Sequence, residues 1–319
     1  MKDLSDIKQI AVLGTGLMGH GIAQYFALHD YRVNIYDKDK RMLESVPEKV
    51  RRNFDVFLKL ELCTLDDVEK TISNITLRSN LREVCDEVQY IVEAISEDLS
   101  IKQTVFKEIE GYVKEDTILT TNTSAISITA ISECLKKKDR FLGTHFWNPP
   151  HVLPCVEVIK GDHTSEDAFN FVFQFMKHVK KEPVKVLQDV PGFIGNRLQH
   201  AMWREAISMV DKNIASAEDI DKVVKNAFGL RLSFIGPLET ADLAGLDLNL
   251  DINRYLFPYL ESSPEPSPIQ IEKVRKGELG VKTGRGFHEW PEDKKTRIID
   301  NRDYILLKIM NEIKPTYES

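Results

Sequence analysis

No segment of the 319-residue chain approaches the run of about 20 apolar residues that crosses a bilayer. Residues 1–10 alternate charged and apolar types, unlike the unbroken apolar core of a secretory signal. The expectation is a soluble, cytoplasmic protein with no membrane partner. Cysteine is scarce: Cys63, Cys85, Cys134 and Cys155 lie far apart and form no CxxC pair. Neither a zinc site nor a disulfide framework is suggested, and all four read as reduced thiols. A basic excess is missing too. Lys and Arg number 43 against 50 Asp and Glu, a formal net charge of −7, so the basic face that supplies most nucleic-acid affinity is not expected. Repeats and low-complexity tracts are lacking, and the turn-rich stretch 262–268 is short enough to be a connector between helices.

What is present is 42% hydrophobic residues, enough for a substantial core, in a length that suggests two domains. Over the first 190 residues, β-rich runs at 9–13, 33–36, 90–92, 118–121, 141–144, 156–159 and 184–187 alternate with amphipathic stretches. That rhythm predicts an α/β fold with a mainly parallel sheet. The charged, helix-prone piece at 38–72 is longer than a crossover needs and reads as a helical excursion. From Pro191 the β signal disappears, and the spacing of Phe193, Ile194, Leu198, Ala201, Met202 and Ala206 predicts a helix that buries one stripe. A helix start is also marked at Ser216, with an acid three residues on. The expected organisation is a nucleotide-binding domain over 1–189 and a smaller all-α domain over 190–319. Apolar helix faces in that second domain need a partner, so a homodimer through it is expected.

Residues 10–13 run into Gly14-Thr15-Gly16-Leu17-Met18-Gly19 and then into a helix whose Gly19, Ala23 and Ala27 form one small-residue face. The first glycine allows a tight turn. The second lets a pyrophosphate approach backbone N–H groups at a helix N-terminus, where the dipole favours negative charge. Leu17 and Met18 complete the loop. A lone GxGxxG is weak, but Asp37 closes the next strand about 20 residues later, where a carboxylate accepts ribose hydroxyls. Together these predict a Rossmann-type NAD site. Asp37 would repel a 2′-phosphate, so NAD is preferred to NADP, with Lys38 and Lys40 tempering the preference.

Ligands of open α/β sheets collect beyond the carboxyl ends of the strands. Glu97, Ser124 and His145 follow three predicted strands and fall on that edge. His145 opens a proline-bounded loop that leads to Glu157, a carboxylate between two valines. If the loop doubles back, Glu157 receives an imidazole N–H, sets the tautomer and stabilises the imidazolium; that suits alcohol oxidation, and equally a purely structural pair. His20 reads as a helix residue near the cofactor and His151 as a loop residue facing solvent, and neither has a metal constellation around it.

These blocks are similar to the 3-hydroxyacyl-CoA dehydrogenase family over nearly the whole chain. The resemblance rests on the glycine loop, Asn122-Thr123-Ser124, His145-Phe-Trp-Asn-Pro, Val156-Glu157-Val158, Pro191-Gly-Phe-Ile-Gly-Asn196-Arg197, Gly236-Pro-Leu-Glu and Lys282-Thr-Gly-Arg-Gly-Phe. It implies that His145 is the acid/base, Glu157 its orienting partner, and that Ser124 and Asn196 contact the reacting oxygen and nicotinamide region. It also assigns cofactor contacts to Glu97, Lys102, Asn148 and, reaching back from the second domain, Lys282. Plainer readings stay open: a helix-start acid, a solvated helix charge, a turn residue and a surface lysine respectively.

The substrate implied is an L-3-hydroxyacyl-CoA, short rather than long, with a place in fatty acid metabolism. In acyl-CoA enzymes of this type the helical excursion helps hold CoA; here it carries Lys49, Arg51, Arg52 and Lys59, either a phosphate-binding face or a solvated helix surface. The prolines of 148–154, and Arg231 and Phe234 before the Gly-Pro-Leu-Glu block, instead look like the lambda-crystallin and L-gulonate dehydrogenase branch. There Arg231 would grip a free carboxylate bidentately or serve the subunit interface. A dehydrogenase of free hydroxy acids, gulonate-like or carnitine-like, is therefore the alternative, and a non-catalytic crystallin-like protein a more distant one.

Overall fold

The computed structural model describes residues 3–312. The chain begins β1 (Gln9–Leu13), α1 (Gly19–Leu28) and β2 (Arg32–Tyr36), then makes the excursion α2 (Lys40–Glu44), α3 (Val46–Lys59) and α4 (Leu65–Ser73). It returns through β3 (Ile75–Leu77), α5 (Leu81–Val84), β4 (Tyr90–Glu93), α6 (Leu99–Ile109), β5 (Ile118–Thr121) and α7 (Ile128–Ser132). The strands β6 (Phe141–Phe146) and β7 (Cys155–Ile159), the helix α8 (Glu166–His178) and β8 (Glu182–Val186) complete the sheet. Its order is β3-β2-β1-β4-β5-β6-β7-β8, and among the described residues only β6 and β7 run antiparallel.

Both faces of the sheet are covered, which is why the central strands read as near-continuous apolar runs. Ile10, Val12, Tyr90 and Val92 face α1, α3 and α8, whereas Ala11, Leu13, Ile91 and Leu119 face α6 and α7. Phe26 shows how α1 is seated. Its ring stacks on Phe175 of α8 at 5.9 Å and meets Tyr90 and Phe146 edge-on at 6.1 and 6.2 Å. Burying a side chain of that size is worth about 1.5–3 kcal/mol, so α1 is pinned to the sheet just beyond the glycine loop.

The chain divides into two compact units between Arg197 and Leu198, and the first also takes in Asp303–Met310. The helix α9 (Gly195–Asp211) is followed by α10 (Ala217–Asn226), α11 (Phe228–Arg231), α12 (Pro237–Ala244), α13 (Leu246–Leu256), α14 (Pro268–Arg275) and α15 (Glu292–Glu312). Ser216 caps α10 as its sequence predicts, accepting from the Asp219 N–H. Two expectations need correcting. The strand β3 is missing from the sequence reading because it has three residues and little burial. The stripe starting at Phe193 begins too early, because Gly192 and Phe193 have φ of 78° and 49° and cannot extend a helix. Among the described residues, no helix is long and apolar enough to cross a membrane.

Candidate active site

The glycine loop leaves β1 on the edge where β1 lies between β2 and β4, the switch point at which parallel sheets bind ligands. Its three glycines are required for different reasons. Gly14 has φ 97°, and a Cβ there would lie 2.4 Å from the Ala94 carbonyl oxygen. On Gly19 a Cβ would fall 1.9 Å from the Gly14 oxygen. Gly16 is different, because its Cβ would meet nothing within 4 Å. Protein packing does not demand that glycine, whereas a pyrophosphate drawn close to the backbone does. The loop lines a cavity of about 700 Å³ together with Leu17, Met18, Asp37, Lys38, Glu97, Asn122 and Ser124. Asp37 braces the loop by accepting from the Thr15 N–H and hydroxyl, each at 2.8 Å. His20 braces it from behind through Nδ1 and the Gly16 carbonyl at 2.6 Å, and burial pushes its pKa below the usual imidazole value. This cradle fits a dinucleotide.

His145 and Glu157 face each other as a cross-strand pair of β6 and β7, so both side chains lie on one face of the sheet. His145 Nδ1 donates to Glu157 Oε2 at 2.7 Å, and both residues are buried. A carboxylate only accepts, so Nδ1 carries a proton, and in the neutral ring Nε2 keeps its lone pair. Glu157 Oε1 accepts the N–H groups of Ile194 and Gly195, each at 2.9 Å. Burial pulls the Glu157 carboxyl upward, but the bonds from His145, Gly195 and Ile194 outweigh it and hold the pKa below the usual carboxylate value. The imidazole packs between Trp147 and Phe193, with ring centroids at 5.2 and 5.8 Å.

Ser124 and Asn196 also meet, through the Asn196 Nδ2 bond to the Ser124 carbonyl at 2.9 Å. Glu97 anchors the Ser124 turn by accepting from the Thr123 hydroxyl and the Ser124 and Ala125 N–H groups. Desolvation opposes ionisation of Glu97, yet the Thr123 hydroxyl and the Lys102 charge prevail and lower its pKa. Lys102 is neither a cavity-wall contact nor a solvated helix charge. It is 1% exposed, and its Nζ is spent on the buried Glu93 at 2.6 Å and on Glu97 at 3.3 Å. It therefore acts on the cofactor cavity through Glu97.

The remaining candidates are dispersed. Asn148 is exposed just past the carboxyl end of β6 and does not line the cavity, and Arg231 and Lys282 are exposed residues of the second unit. Arg51 pairs with Glu69 of the next helix at 3.2 Å, and Arg52 is exposed. Lys49 turns instead onto the glycine loop, donating to the Thr15 carbonyl at 3.2 Å. Sequence reasoning missed the Ile194 and Gly195 N–H groups, Phe193, Trp147 and Glu93. The two glycines bracketing Phe193 and Ile194 were the available signal for the first of these.

Two outcomes follow from this geometry. Gly16→Ala is expected to melt within a degree or two of the wild type while losing most of its NADH affinity, whereas Gly19→Ala loses thermal stability outright. Equal melting losses in both, measured beside NADH titrations, would contradict the division of roles. Glu157→Gln is expected to cost about 1–3 kcal/mol at neutral pH. Because the folded carboxyl is depressed, its contribution is full above the ordinary value of 4.5 and is lost as pH falls through the folded value. The melting gap between wild type and variant should therefore close on the acid side; a gap that stays constant there rules out an ionised Glu157.

Residues 9–190 match the family described as 3-hydroxyacyl-CoA dehydrogenase, NAD binding domain, and residues 192–290 match its C-terminal domain. The human mitochondrial hydroxyacyl-coenzyme A dehydrogenase is 36% identical over 291 residues, covering 89% of this chain and 91% of that protein. The 5-formyl-3-hydroxy-2-methylpyridine 4-carboxylate 5-dehydrogenase of Mesorhizobium japonicum is 30% identical over 296 residues, covering 91% and 93%. A solved structure of a dehydrogenase with that pyridine substrate superposes with a TM-score of 0.89 at 28% identity, covering 95% of this chain and 97% of the other. The (S)-3-hydroxybutyryl-CoA dehydrogenase PaaH1 of Ralstonia eutropha gives 0.74 at 33% identity, covering 90% and 100%. With the dinucleotide cradle, these matches make the chain a member of the 3-hydroxyacyl-CoA dehydrogenase family, an NAD-dependent oxidoreductase acting on a CH–OH group.

Proposed function

We propose that His145 is the general base and acid of this chain, oriented by Glu157. The observation that carries this reading is the cross-strand bond in which Glu157 accepts the Nδ1 proton, the tautomer whose Nε2 is the free base of the neutral ring. NAD, when bound, supplies the acceptor for hydride from the carbinol carbon. His145 Nε2 takes the hydroxyl proton, and the imidazolium is stabilised by the Glu157 carboxylate, itself held by two backbone N–H groups. In the reverse direction the same nitrogen returns the proton to the forming alkoxide. Ser124 and Asn196 contact the reacting oxygen and the nicotinamide region, Asp37 takes the ribose hydroxyls, and Glu97, Asn148 and Lys282 complete the cofactor contacts. Lys102 serves by holding Glu97.

Two substrate classes are open to this machinery, a short L-3-hydroxyacyl-CoA with a role in fatty acid metabolism and a small free hydroxy acid. Three observations favour the free acid. The cations of the excursion do not form one phosphate face: Arg51 is on Glu69, Lys49 on Thr15, and Lys59 lies 5.4 Å from the centre of the Tyr304 ring. Tyr304 belongs to α15, which lies beyond residue 290, where the family match ends. The third is the TM-score of 0.89 with a dehydrogenase named for a pyridine carboxylate. Arg231 is then the residue that grips the carboxylate. Exposed ion pairs are worth only about 0–1 kcal/mol, so the assay decides. NADH formation is expected with free acids such as L-3-hydroxybutyrate or L-gulonate and not with L-3-hydroxybutyryl-CoA; thioester-only turnover would reverse the substrate reading. His145→Gln should lower turnover by about 10²–10⁴ with NAD affinity nearly unchanged, and retained turnover would remove His145 from its role.

The reading extends to a cytoplasmic homodimer joined through the helical second unit. Among that unit's described residues Ile220 is the one buried hydrophobic side chain, while Leu238, Leu243, Tyr255 and Tyr259 are 70–80% exposed. A helical unit with so little interior needs a covering surface, and a second copy supplies it. Sedimentation equilibrium should return twice the chain mass, and a stable monomer at micromolar concentration would refute the dimer.

A further inference from the structure

The connection between the His145 and Glu157 strands, residues 147–154, lies against α1. A Cβ on Gly21 of α1 would come within 2.8 Å of Pro150 Cγ and 3.0 Å of His151 Nδ1, so the chain rests directly on the helix that starts at the glycine loop. Over this connection sits Lys181, 2% exposed between α8 and β8. Its Nζ donates to the carbonyl oxygens of Pro150 and Leu153 at 2.7 and 2.8 Å and lies 3.6 Å from the centre of the Tyr25 ring, also on α1. Burial pulls the pKa of this amine down to about 7, and two carbonyl bonds and a ring face stand in for the water it has lost. The near end of the connection is Trp147, which packs on the His145 ring. A Cβ on Gly195 would fall 2.1 Å from Trp147 Cζ2, so the indole also lies flush against the residue whose N–H holds Glu157.

We propose that Lys181 is a positioning residue for the His145–Glu157 pair: with Gly21 beneath, its Nζ seats the β6–β7 connection on α1 and thereby fixes Trp147 against His145 and Gly195. The seat joins the strand pair that carries the proton chemistry to the helix that follows the NAD loop. Loosening it lets Trp147 leave its place, and with it the Gly195 N–H and the imidazole lose their common wall. Lys181 touches neither substrate nor cofactor in this account.

The test uses the full chain labelled with fluorotryptophan. Its three tryptophans give three fluorine resonances, and Trp147 is assigned by the signal lost in Trp147→Phe. Lys181→Met, similar in volume but without donors, is expected to shift or broaden the Trp147 resonance and to leave those of Trp203 and Trp290 in place. Gly21→Ala presses on Pro150 from the other side without altering Lys181 and should give the same signature. With any substrate the wild type turns over, both variants should lose about 10-fold to 100-fold in kcat per active site counted by NADH binding. A role confined to stability would lower Tm, leaving the folded resonance and the kcat per site unchanged. An unmoved Trp147 signal in folded Lys181→Met overturns the proposal; should that variant not fold, an unmoved signal in Gly21→Ala does so. A moved signal with wild-type kcat overturns it as well. The resonance arm needs no substrate, so it can fail or succeed independently of the role proposed for His145.

Discussion

A carboxylate with 1% exposure is the constraint on which the site depends. Glu157 stands among valines on β7, and an ionised carboxyl in that setting persists only if its lone pairs are met by donors. Three arrive: the imidazole of His145 from β6, and the N–H groups of Ile194 and Gly195. Each demands something of the chain. The imidazole requires β6 and β7 to be antiparallel in the register that sets His145 opposite Glu157, which makes this the reversed pair in an otherwise parallel sheet. The two N–H groups require the turn after Pro191 to enter the left-handed region at Gly192 and Phe193 before α9 begins. That turn stays with the first unit, and the division of the chain falls only after Arg197.

The same economy recurs at the cofactor edge. Glu93 is buried at the end of β4, where desolvation raises its pKa against the pull of Lys102, the Thr121 hydroxyl and the Ile95 N–H. Lys102 then reaches on to Glu97, and Glu97 gathers the turn that carries Ser124. Asn196 closes the circuit by bonding to the Ser124 carbonyl one residue beyond the Gly195 N–H on Glu157. Buried charge on one strand and buried charge on another are thus connected through the groups proposed to meet the substrate. Networks of this kind hold shape well when every member is satisfied, and removing any one partner leaves the others exposed to the full desolvation cost.

Much of this was legible from residue order. The strands β1 and β5 are found at their observed limits because both of their faces are buried, which leaves an apolar run with sharp ends. The glycine loop, Asp37 and the His145–Glu157 pairing are legible because each rests on a local rule of turn, dipole or alternation. The failures share a cause. The resemblance gives Lys102 a cofactor contact and its helix offers a solvated charge, whereas only the fold brings Glu93 over it and engages its Nζ. Phe193 and Ile194 fit a helical spacing, yet a backbone turn needed by a distant carboxylate overrides it. Arg51 could not be assigned while its partner, Glu69, lay eighteen residues away on another helix. Local pattern reports local structure; the pairing of charges across elements is set by tertiary packing.

Everything proposed for the reaction turns on Glu157 fixing the proton of neutral His145 on Nδ1 and leaving Nε2 as the base. Nitrogen-15 NMR of histidine-labelled protein reads this directly, with His145 assigned by the signals missing from His145→Gln. In the wild type with the ring neutral, Nδ1 is expected to be protonated and Nε2 unprotonated. The opposite tautomer, or a ring exchanging freely between the two, would contradict it.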